Sequence, residues 1–261
     1  MSDKLVLIEK RGRVGIMTVN RPDTMNALNT PMLEKIENAL GILERDNDVR
    51  VIVITGAGEK AFVAGGDIAE LNSRKGLAHY SEFGEDVERI FRRFETCDKP
   101  TIAAVNGWAL GGGMELMLAL DIRIISNTVK IGLPEIKLGL FPGGGGSQRL
   151  MRQIPLCRAK EIMFTGDPLN AVEAVSLGIA NRAVPKEKLM DEALSIAERI
   201  AEKSPLVIRL LKRSMLHGSD MPLPAALAYE QAMIGLVLDS EDAHEGCSAF
   251  VEKRRAEFVG R

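Results

Sequence analysis

The chain has 261 residues and a formal net charge of −2, and 46% of its residues are hydrophobic and 27% charged. This balance is typical of a soluble globular protein, and it excludes a general affinity for nucleic acid or for an anionic membrane surface. The cysteines Cys97, Cys157 and Cys247 are widely separated, which argues against a disulfide framework or a zinc cluster and predicts a reducing compartment. The first residues carry scattered charges and no apolar core of signal-peptide length, so we expect a cytoplasmic protein.

The first hundred or so positions alternate strand patterns with helix patterns. Thr30-Pro31 opens a helix, with Thr30 predicted as the cap and Pro31 at the first helical position. Val51–Ile54 is a continuous apolar run, typical of a strand buried on both faces. The predicted elements are strands at Leu5–Glu9, Val14–Val19 and Val51–Ile54, and helices from Thr30, from Ile68 and over His79–Thr96.

Two glycine turns stand out between these elements. Ala64-Gly65-Gly66 precedes the helix from Ile68, and Gly111–Gly113 follows a strand predicted at Thr101–Val105. Adjacent glycines suit a close backbone approach, or N–H groups that point at an anion where a helix starts. Two such groups aimed at one point would form an oxyanion hole. The alternative is that both are tight turns packed against neighbouring strands.

Two carboxylates lie in apolar surroundings near glycine-rich turns. Glu115 follows the second glycine turn closely, and Glu135 follows Pro134. Two carboxylates in a dry pocket can titrate apart, one acting as acid and the other as base. The alternative is that each is paired in a salt bridge or exposed. Asp67, after the first glycine turn, is expected to cap a helix rather than to catalyse.

The second half of the sequence ends in helices only. A strand at Ile122–Ser126 precedes the glycines 143–146 and a helix from Ser147. This alternation predicts an α/β fold with parallel strands and helices packed outside. An all-helical tail after such a core favours an oligomerisation role. The tail helices are predicted at Glu187–Glu202, Leu206–Leu216, Leu223–Leu238 and Ala243–Phe258.

Several signatures of other chemistries are absent from the sequence. His79, His217 and His244 are isolated, so no metal site is predicted. The sequence has no GxSxG elbow, no GxxxxGK[ST] phosphate loop and no GxGxxG fingerprint,. No apolar run approaches the length of a membrane span.

The chain resembles the enoyl-CoA hydratase/isomerase family, also called the crotonase family, along essentially its whole length. The matching segments are NRPDTMNALN (20–29), AFVAGGDI (61–68), KPTIAAVNGWALGGGMEL (99–116), IGLPEIKLGLFPGGGGSQRL (131–150) and SEDAHEGCSAFVEKR (240–254). The resemblance implies a spiral of ββα turns over residues 1–190, which holds an acyl-CoA site, and a helical trimerisation region over 191–261. In this family trimers often pair into hexamers.

The resemblance also implies roles for particular residues. The backbone N–H groups of Gly66 and Gly112 would hold the thioester oxygen of the substrate, and CoA would enter only as part of that substrate. Phe250 and Lys253 would reach the adenine and phosphate of the CoA bound to a neighbouring subunit. The acyl-CoA path would be lined by Met25, Ala27, Leu28, Ala64, Gly66, Asp67, Ile68, Ala69 and Gly112.

Family members with glutamate at both acid positions resemble hydratases, so Glu115 and Glu135 imply addition of water to a trans-2-enoyl-CoA. Glu115 would deprotonate the water, and Glu135 would give a proton to the α-carbon. The alternatives are a Δ3,Δ2-enoyl-CoA isomerase and a dehydratase of one hydroxyacyl-CoA. RNA binding, found in some relatives, would need a basic helix face, but EDVERIFRRFET (85–96) interleaves acids,. A scaffold without activity is disfavoured because both glutamates and both glycine turns are present.

The sequence departs from the family pattern at three positions. Gly66 and Gly144 stand where alanine is usual, and Trp108 stands where tyrosine or phenylalanine is common. These changes leave the reaction class in place. They leave the preferred acyl chain open, because small changes in a pocket are worth about 1–3 kcal/mol each.

Overall fold

A computed structural model gives the structure of residues 4–261, apart from the side chains of Ala78 and Tyr80. The strands are β1 (Val6–Arg11), β2 (Val14–Val19), β3 (Val51–Gly56), β4 (Ala61–Val63), β5 (Thr101–Val105), β6 (Trp108–Leu110), β7 (Ile122–Ser126), β8 (Lys130–Gly132), β9 (Leu169–Asn170) and β10 (Arg182–Val184). The α-helices are α1 (Thr30–Arg45), α2 (Ile68–Ser73), α3 (Leu77–His79), α4 (Glu85–Thr96), α5 (Gly112–Leu118), α6 (Gly146–Gln153), α7 (Leu156–Thr165), α8 (Ala171–Ser176), α9 (Leu189–Ala201), α10 (Pro205–Gly218), α11 (Leu223–Leu238) and α12 (Glu241–Glu252). A π-helical turn at Tyr80–Gly84 joins α3 to α4, and 3-10 helices lie at Pro22–Thr24, Pro134–Leu138 and Lys186–Lys188.

Two sheets organise the core. The larger sheet has the order β1-β2-β3-β5-β7-β10, and the smaller one has the order β4-β6-β8-β9. All neighbouring strands are parallel except β1 with β2 and β8 with β9. The chain repeatedly gives one strand to the larger sheet, the next to the smaller sheet, and then a helix. This is the predicted spiral of ββα turns.

The central strands β2, β3 and β5 of the larger sheet are buried on both faces, which explains their continuous apolar runs. Ile16 on β2 pairs with Val53 on β3, which pairs with Ile102 on β5. These three side chains share one face with the small buried residues of α9, whereas Ile52 and Ile54 pack on the opposite face with α1 and α4. Alternation along each strand therefore supplies two apolar layers.

Helix α9 packs against one face of the larger sheet. Its alanines at 193, 197 and 201 pack in the same cluster as Val51 and Val53. The predicted division at residue 190 falls inside α9, so the packed core extends to Ala201. The division into a core and an oligomerisation region stays a prediction.

The structure corrects details of three predicted elements. The cap of α1 is Asn29, whose Oδ1 accepts a hydrogen bond from the N–H of Met32 at 3.0 Å, because the Thr30 hydroxyl donates instead to Glu70. The helix predicted to end at Thr96 is interrupted by the π turn. The helix predicted to reach Phe258 ends at Glu252, because Lys253 adopts a left-handed φ of 55°.

The C-terminal helices leave much apolar surface uncovered in the single chain. Helix α11 has no buried residue, although most of its side chains are apolar. Its exposed leucines are Leu223, Leu227, Leu236 and Leu238. Among the described residues, no helix combines the length and the apolarity that a membrane span requires.

Asp242 holds the chain segment that follows α12 in place through hydrogen bonds. Its side chain is 1% exposed and accepts hydrogen bonds from the N–H groups of Val259 at 2.7 Å and Gly260 at 2.9 Å. It also accepts a bond from the hydroxyl of Ser204, the cap residue of α10. The backbone N–H of Asp242 in turn donates to the carbonyl of Arg261. The segment 259–261 is therefore part of the folded structure.

Candidate active site

The first glycine turn forms a single parallel bridge with the segment before α1. The N–H of Leu28 donates to Gly65 O at 2.8 Å, and the N–H of Asp67 donates to Leu28 O at 2.7 Å. Because Gly66 lies between these two bonds, its own N–H points away from Leu28. In residues 4–261 this N–H donates no hydrogen bond. It is therefore available to a ligand.

The second glycine turn brings helix α5 directly onto β4. A Cβ on Gly113 would lie 1.8 Å from Val63 O, so only glycine fits here, and Gly111 has a left-handed φ of 51°. Gly112 is the first residue of α5, where an N–H has no partner inside the helix. A Cβ on Gly112 would lie 3.6 Å from Gly66 N. The two glycine turns are therefore neighbours, and each presents a backbone N–H.

Glu115 is buried one turn into α5, with 5% exposure. The N–H of Gly146, at the start of α6, donates to its Oε1 at 2.8 Å. Burial raises the pKa of Glu115, and the N–H groups of Gly146 and Gly144 and the charge of Arg149 oppose that rise. The carboxylate is thus held in place by backbone donors.

Glu135 lies at the start of the 3-10 helix Pro134–Leu138. A Cβ on Gly111 would lie 3.1 Å from its Oε1, so this carboxyl reaches the second glycine turn. Its Oε2 is buried and has no hydrogen-bond partner among the described residues. Burial raises the pKa of Glu135 to about 7, and the charge of Glu115 adds to the rise. The structure therefore brings both glutamates and both glycine turns together at one site.

The predicted CoA-binding residues before α1 and α2 also come together. Met25 and Asn26 have left-handed φ values of 53° and 59°, and the N–H of Ala64 donates to Met25 O at 3.1 Å. Asp67 caps α2 by accepting from the N–H of Ala69 at 3.2 Å, as predicted. The remaining residues of this set, Ala27, Leu28 and Ile68, lie in the same two segments, and the side chain of Ile68 is 53% exposed.

Phe250 and Lys253 lie in a different part of the chain. Phe250 is 86% exposed on α12, and Lys253 ends that helix. No hydrogen bond recorded for the described residues links either side chain to the glycine turns. Their predicted role needs a neighbouring subunit.

Two side chains that support this site were not predicted as site residues from the sequence. Asn26 is fully buried and donates to the carbonyls of Ala57 at 3.0 Å and Ala61 at 2.9 Å. Arg21 forms an ion pair with Asp67 at 2.8 Å, across the first glycine turn. The only sequence signal for these residues was their place in the segment NRPDTMNALN (20–29). Within residues 4–261, no group of three or more His, Cys, Asp or Glu side chains is arranged to hold a metal ion.

Comparison with known proteins agrees with this geometry. Residues 9–261 match the sequence model of the enoyl-CoA hydratase/isomerase family. The chain belongs to this family. The predicted family and the predicted crotonase-like fold are therefore confirmed.

The relatives of this family member include hydratases of short acyl thioesters. It is 40% identical to a short-chain-enoyl-CoA hydratase of Clostridium acetobutylicum over 252 residues, which covers 97% of this chain and 96% of that protein. It is also 40% identical to a crotonyl-CoA hydratase of Syntrophomonas wolfei over the full length of both. The crystal structure of an enoyl-CoA hydratase from Bacillus anthracis superposes with a TM-score of 0.94 at 36% identity, covering 98% of this chain and 100% of that one.

Proposed function

We propose that the protein is an enoyl-CoA hydratase, which adds water to a trans-2-enoyl-CoA and gives a 3-hydroxyacyl-CoA. The observation that carries this proposal is the pair of carboxyl groups beside two backbone N–H groups that have no partner within residues 4–261. One carboxylate, Glu115, is held by a backbone donor, and the other, Glu135, has a buried oxygen without a partner among the described residues. Family membership and the hydratases among the relatives support the same reaction.

The N–H groups of Gly66 and Gly112 form the oxyanion hole of this proposal. When water attacks the β-carbon, electrons move through the double bond to the thioester oxygen, which becomes negative. Fixed N–H dipoles stabilise this charge without reorganising, so they favour the transition state over the substrate.

The two glutamates move protons in opposite directions. Glu115 takes a proton from the attacking water while the new C–O bond forms, and Glu135 gives a proton to the α-carbon as the enolate collapses. The pair holds one proton and one negative charge before and after this step, so the charge balances. A proton must then pass from Glu115 back to Glu135 before the next turnover. A raised pKa suits Glu135 for donation, because its carboxyl stays partly protonated near neutral pH,.

CoA is bound in this proposal by the segments around Met25 and Asp67, as the resemblance implies. Phe250 and Lys253 from a neighbouring subunit complete the site, so the active form is a homotrimer or a homohexamer. The exposed apolar surface of α11 supports association, because a monomer rarely leaves such a large apolar area in water,. We also propose a cytoplasmic location and a role in the breakdown of acyl-CoA.

The deciding experiment follows the loss of the ultraviolet absorbance of crotonyl-CoA. Wild type is compared with Glu115→Gln, Glu135→Gln and, as a control for the same change of charge, Glu34→Gln on the exposed face of α1. We expect rapid loss with wild type and the control. Each active-site variant should be slower by about 10²–10⁴-fold, the range for loss of a general acid or base.

The isomerase alternative predicts a different result. An isomerase would leave crotonyl-CoA unchanged, would convert a 3-enoyl-CoA, and would tolerate one of the two glutamine variants. A specific dehydratase would consume only its own hydroxyacyl-CoA. Either pattern would contradict the proposed hydration of a simple enoyl thioester.

A further inference from the structure

The Gly144–Gly146 turn determines where the Glu115 carboxylate lies. A Cβ on Gly144 would come within 2.6 Å of Glu115 Oε2, and a Cβ on Gly146 would come within 2.9 Å of Oε1. The carboxylate therefore rests against bare backbone and accepts the Gly146 N–H. Any movement of this turn moves the bond that orients Glu115.

Arg149, one turn into α6, restrains this turn through two successive carbonyls. Its Nη1 donates to Gly144 O at 2.8 Å, and its backbone N–H donates to Gly145 O at 2.9 Å. The bond to Gly145 O is the ordinary first bond of α6, which any residue at 149 would make, whereas the bond to Gly144 O depends on the guanidinium and holds the residue that lies against Glu115 Oε2. Gly145 has a left-handed φ of 95°, and a Cβ there would lie 2.0 Å from Arg149 Nη1.

Glu95 on α4 holds the guanidinium of Arg149 in one orientation. Nε donates to Glu95 Oε1 at 2.6 Å, and Nη2 donates to Oε2 at 3.2 Å. The two side chains are only 12% and 19% exposed. Such a forked, charge-assisted pair fixes direction as well as distance. A chain of contacts thus runs from Glu95 through Arg149 to the turn around Glu115.

Two charged groups face Glu115 from the elements around it. Helix α5 packs against β4, β6 and α6, and the two strands contain no titratable residue. Arg149 comes from α6, and Glu135 comes from the 3-10 helix that precedes it. Among the described residues, Arg149 is therefore the cation that opposes the effect of burial on Glu115.

We propose that Arg149, anchored by Glu95, is a positioning residue that orients Glu115 through the Gly144–Gly146 turn. The proposal rests on the proposed hydration, in which Glu115 accepts the proton of water. Arg149 does not touch the substrate in this scheme. Its forked contact with Glu95 fixes geometry, and its charge favours the ionised form of Glu115, so the two effects can be separated by substitution.

The test compares Arg149→Lys, Arg149→Gln and Glu95→Gln with wild type. Lysine keeps the charge but cannot bind Glu95 and Gly144 O with a planar fork, so kcat should fall about tenfold or more with little change in KM. Glutamine should lower kcat similarly and also move the acid limb of the kcat/KM profile to higher pH. Glu95→Gln should lower kcat without that upward movement.

Arg152→Gln is the matched control. Arg152 lies on the same helix, is 57% exposed, and bonds Gln148 within that helix. This variant should keep the kcat and the pH profile of wild type. Equal losses in Arg152→Gln and Arg149→Gln would contradict a specific role for Arg149.

A second readout does not depend on activity. The carboxyl carbon of Glu115 is followed by NMR during a pH titration, with Glu115→Gln used for assignment. We expect a higher midpoint in Arg149→Gln than in wild type, and a nearly unchanged midpoint in Arg149→Lys.

The proposal is overturned if the folded variants keep both the kcat and the Glu115 midpoint of wild type. It is also overturned if they lose only thermal stability. If Arg149→Gln does not fold, Arg149→Lys and Glu95→Gln still give the test through kcat. If wild type does not hydrate crotonyl-CoA, the proposed function fails, whereas the NMR midpoints still report whether Arg149 acts on Glu115.

Discussion

The two glutamates of the candidate site have different surroundings, although burial raises the pKa of both. Glu115 sits on a helix pressed against β4 and receives a backbone hydrogen bond. Glu135 sits on a short 3-10 helix, is only partly buried, and has one oxygen without a hydrogen-bond partner in the described part of the chain. One carboxylate is fixed by the fold, whereas the other is left for a ligand.

This difference shows how two identical side chains at one site can take opposite roles in proton transfer. The N–H donors at Glu115 oppose the rise of its pKa, as a base requires, whereas burial and the charge of Glu115 raise the pKa of Glu135 to about 7,. The glycines matter because they allow backbone groups to reach Glu115. Substitutions at the glycines therefore test what holds Glu115 in place, and a substitution at Glu135 tests the raised pKa of the second carboxyl.

The largest effect is expected from Gly113→Ala. The new methyl group would meet Val63 O at 1.8 Å, and a backbone oxygen in a strand cannot move aside. Helix α5 would be displaced from β4, so the position of Glu115 would no longer be fixed. We expect a loss of about 3 kcal/mol or more in the free energy of unfolding, measured by chemical denaturation.

Gly41→Ala in α1 is the control for this substitution. Its methyl group would lie 3.4 Å from the movable end of Arg45. Because alanine favours a helix over glycine, stability should rise by about 0.5–1 kcal/mol. Equal stability of Gly113→Ala and wild type would show that α5 does not depend on contact with β4.

A smaller effect is expected from Gly144→Ala, which places a methyl group against the orienting turn. It would lie 2.6 Å from Glu115 Oε2 and 2.8 Å from Val87. Because both neighbours are side chains that can shift, we expect kcat to fall by up to about tenfold. Stopped-flow hydration of crotonyl-CoA measures this change.

Gly143→Ala tests whether the effect depends on position. Gly143 is in the same turn, but its methyl group would meet its nearest neighbour, Phe141 O, at an ordinary 3.8 Å. We expect nearly wild-type kcat. If both alanine variants lose the same activity, crowding of Glu115 is not the cause.

At Glu135 we expect an effect on stability that depends on pH. A carboxyl whose pKa rises from 4.5 to about 7 on folding stabilises the folded state below pH 4.5, and this contribution is lost as pH rises through 7,. Glutamine stays neutral at every pH. The advantage of Glu135→Gln over wild type in unfolding free energy should therefore grow by about 1–3 kcal/mol between pH 5 and pH 8, after allowance for partial exposure.

The same pair of denaturation experiments with Glu34→Gln serves as the reference. Glu34 is exposed on α1, so its substitution should give the same difference from wild type at both pH values. A flat difference for Glu135→Gln as well would mean that its carboxyl is not perturbed in the folded protein.

Much of the fold could be predicted from the sequence because its signals are local. The β-branched run at Val51–Ile54 identified a buried strand, and the pattern at Leu223–Leu238 gave the bounds of α11. The short strands β4, β6 and β8 were missed. Each has three residues, and their pairing depends on strands far away in the chain rather than on a local pattern.

The site could be predicted as a set of residues but not as a geometry. Glu115 and Glu135 stood out because each is an acid in apolar surroundings, and the family resemblance gave them roles. The ion pair between Arg149 and Glu95 could not be predicted from the sequence, because the contact between α4 and α6 depends on tertiary packing. The choice of Asn29 over Thr30 as a cap was likewise decided by a distant partner, Glu70.

The hydrogen bonds between Asp242 and residues 259–261 affect how readily a protease can cleave this segment. Proteases cleave most readily at exposed segments whose backbone makes no hydrogen bonds. Here the backbone of residues 259–261 is occupied by hydrogen bonds to Asp242. A protease can therefore bind this segment only after these hydrogen bonds break. The rate of cleavage at residues 259–261 would then report on the integrity of the C-terminal helices.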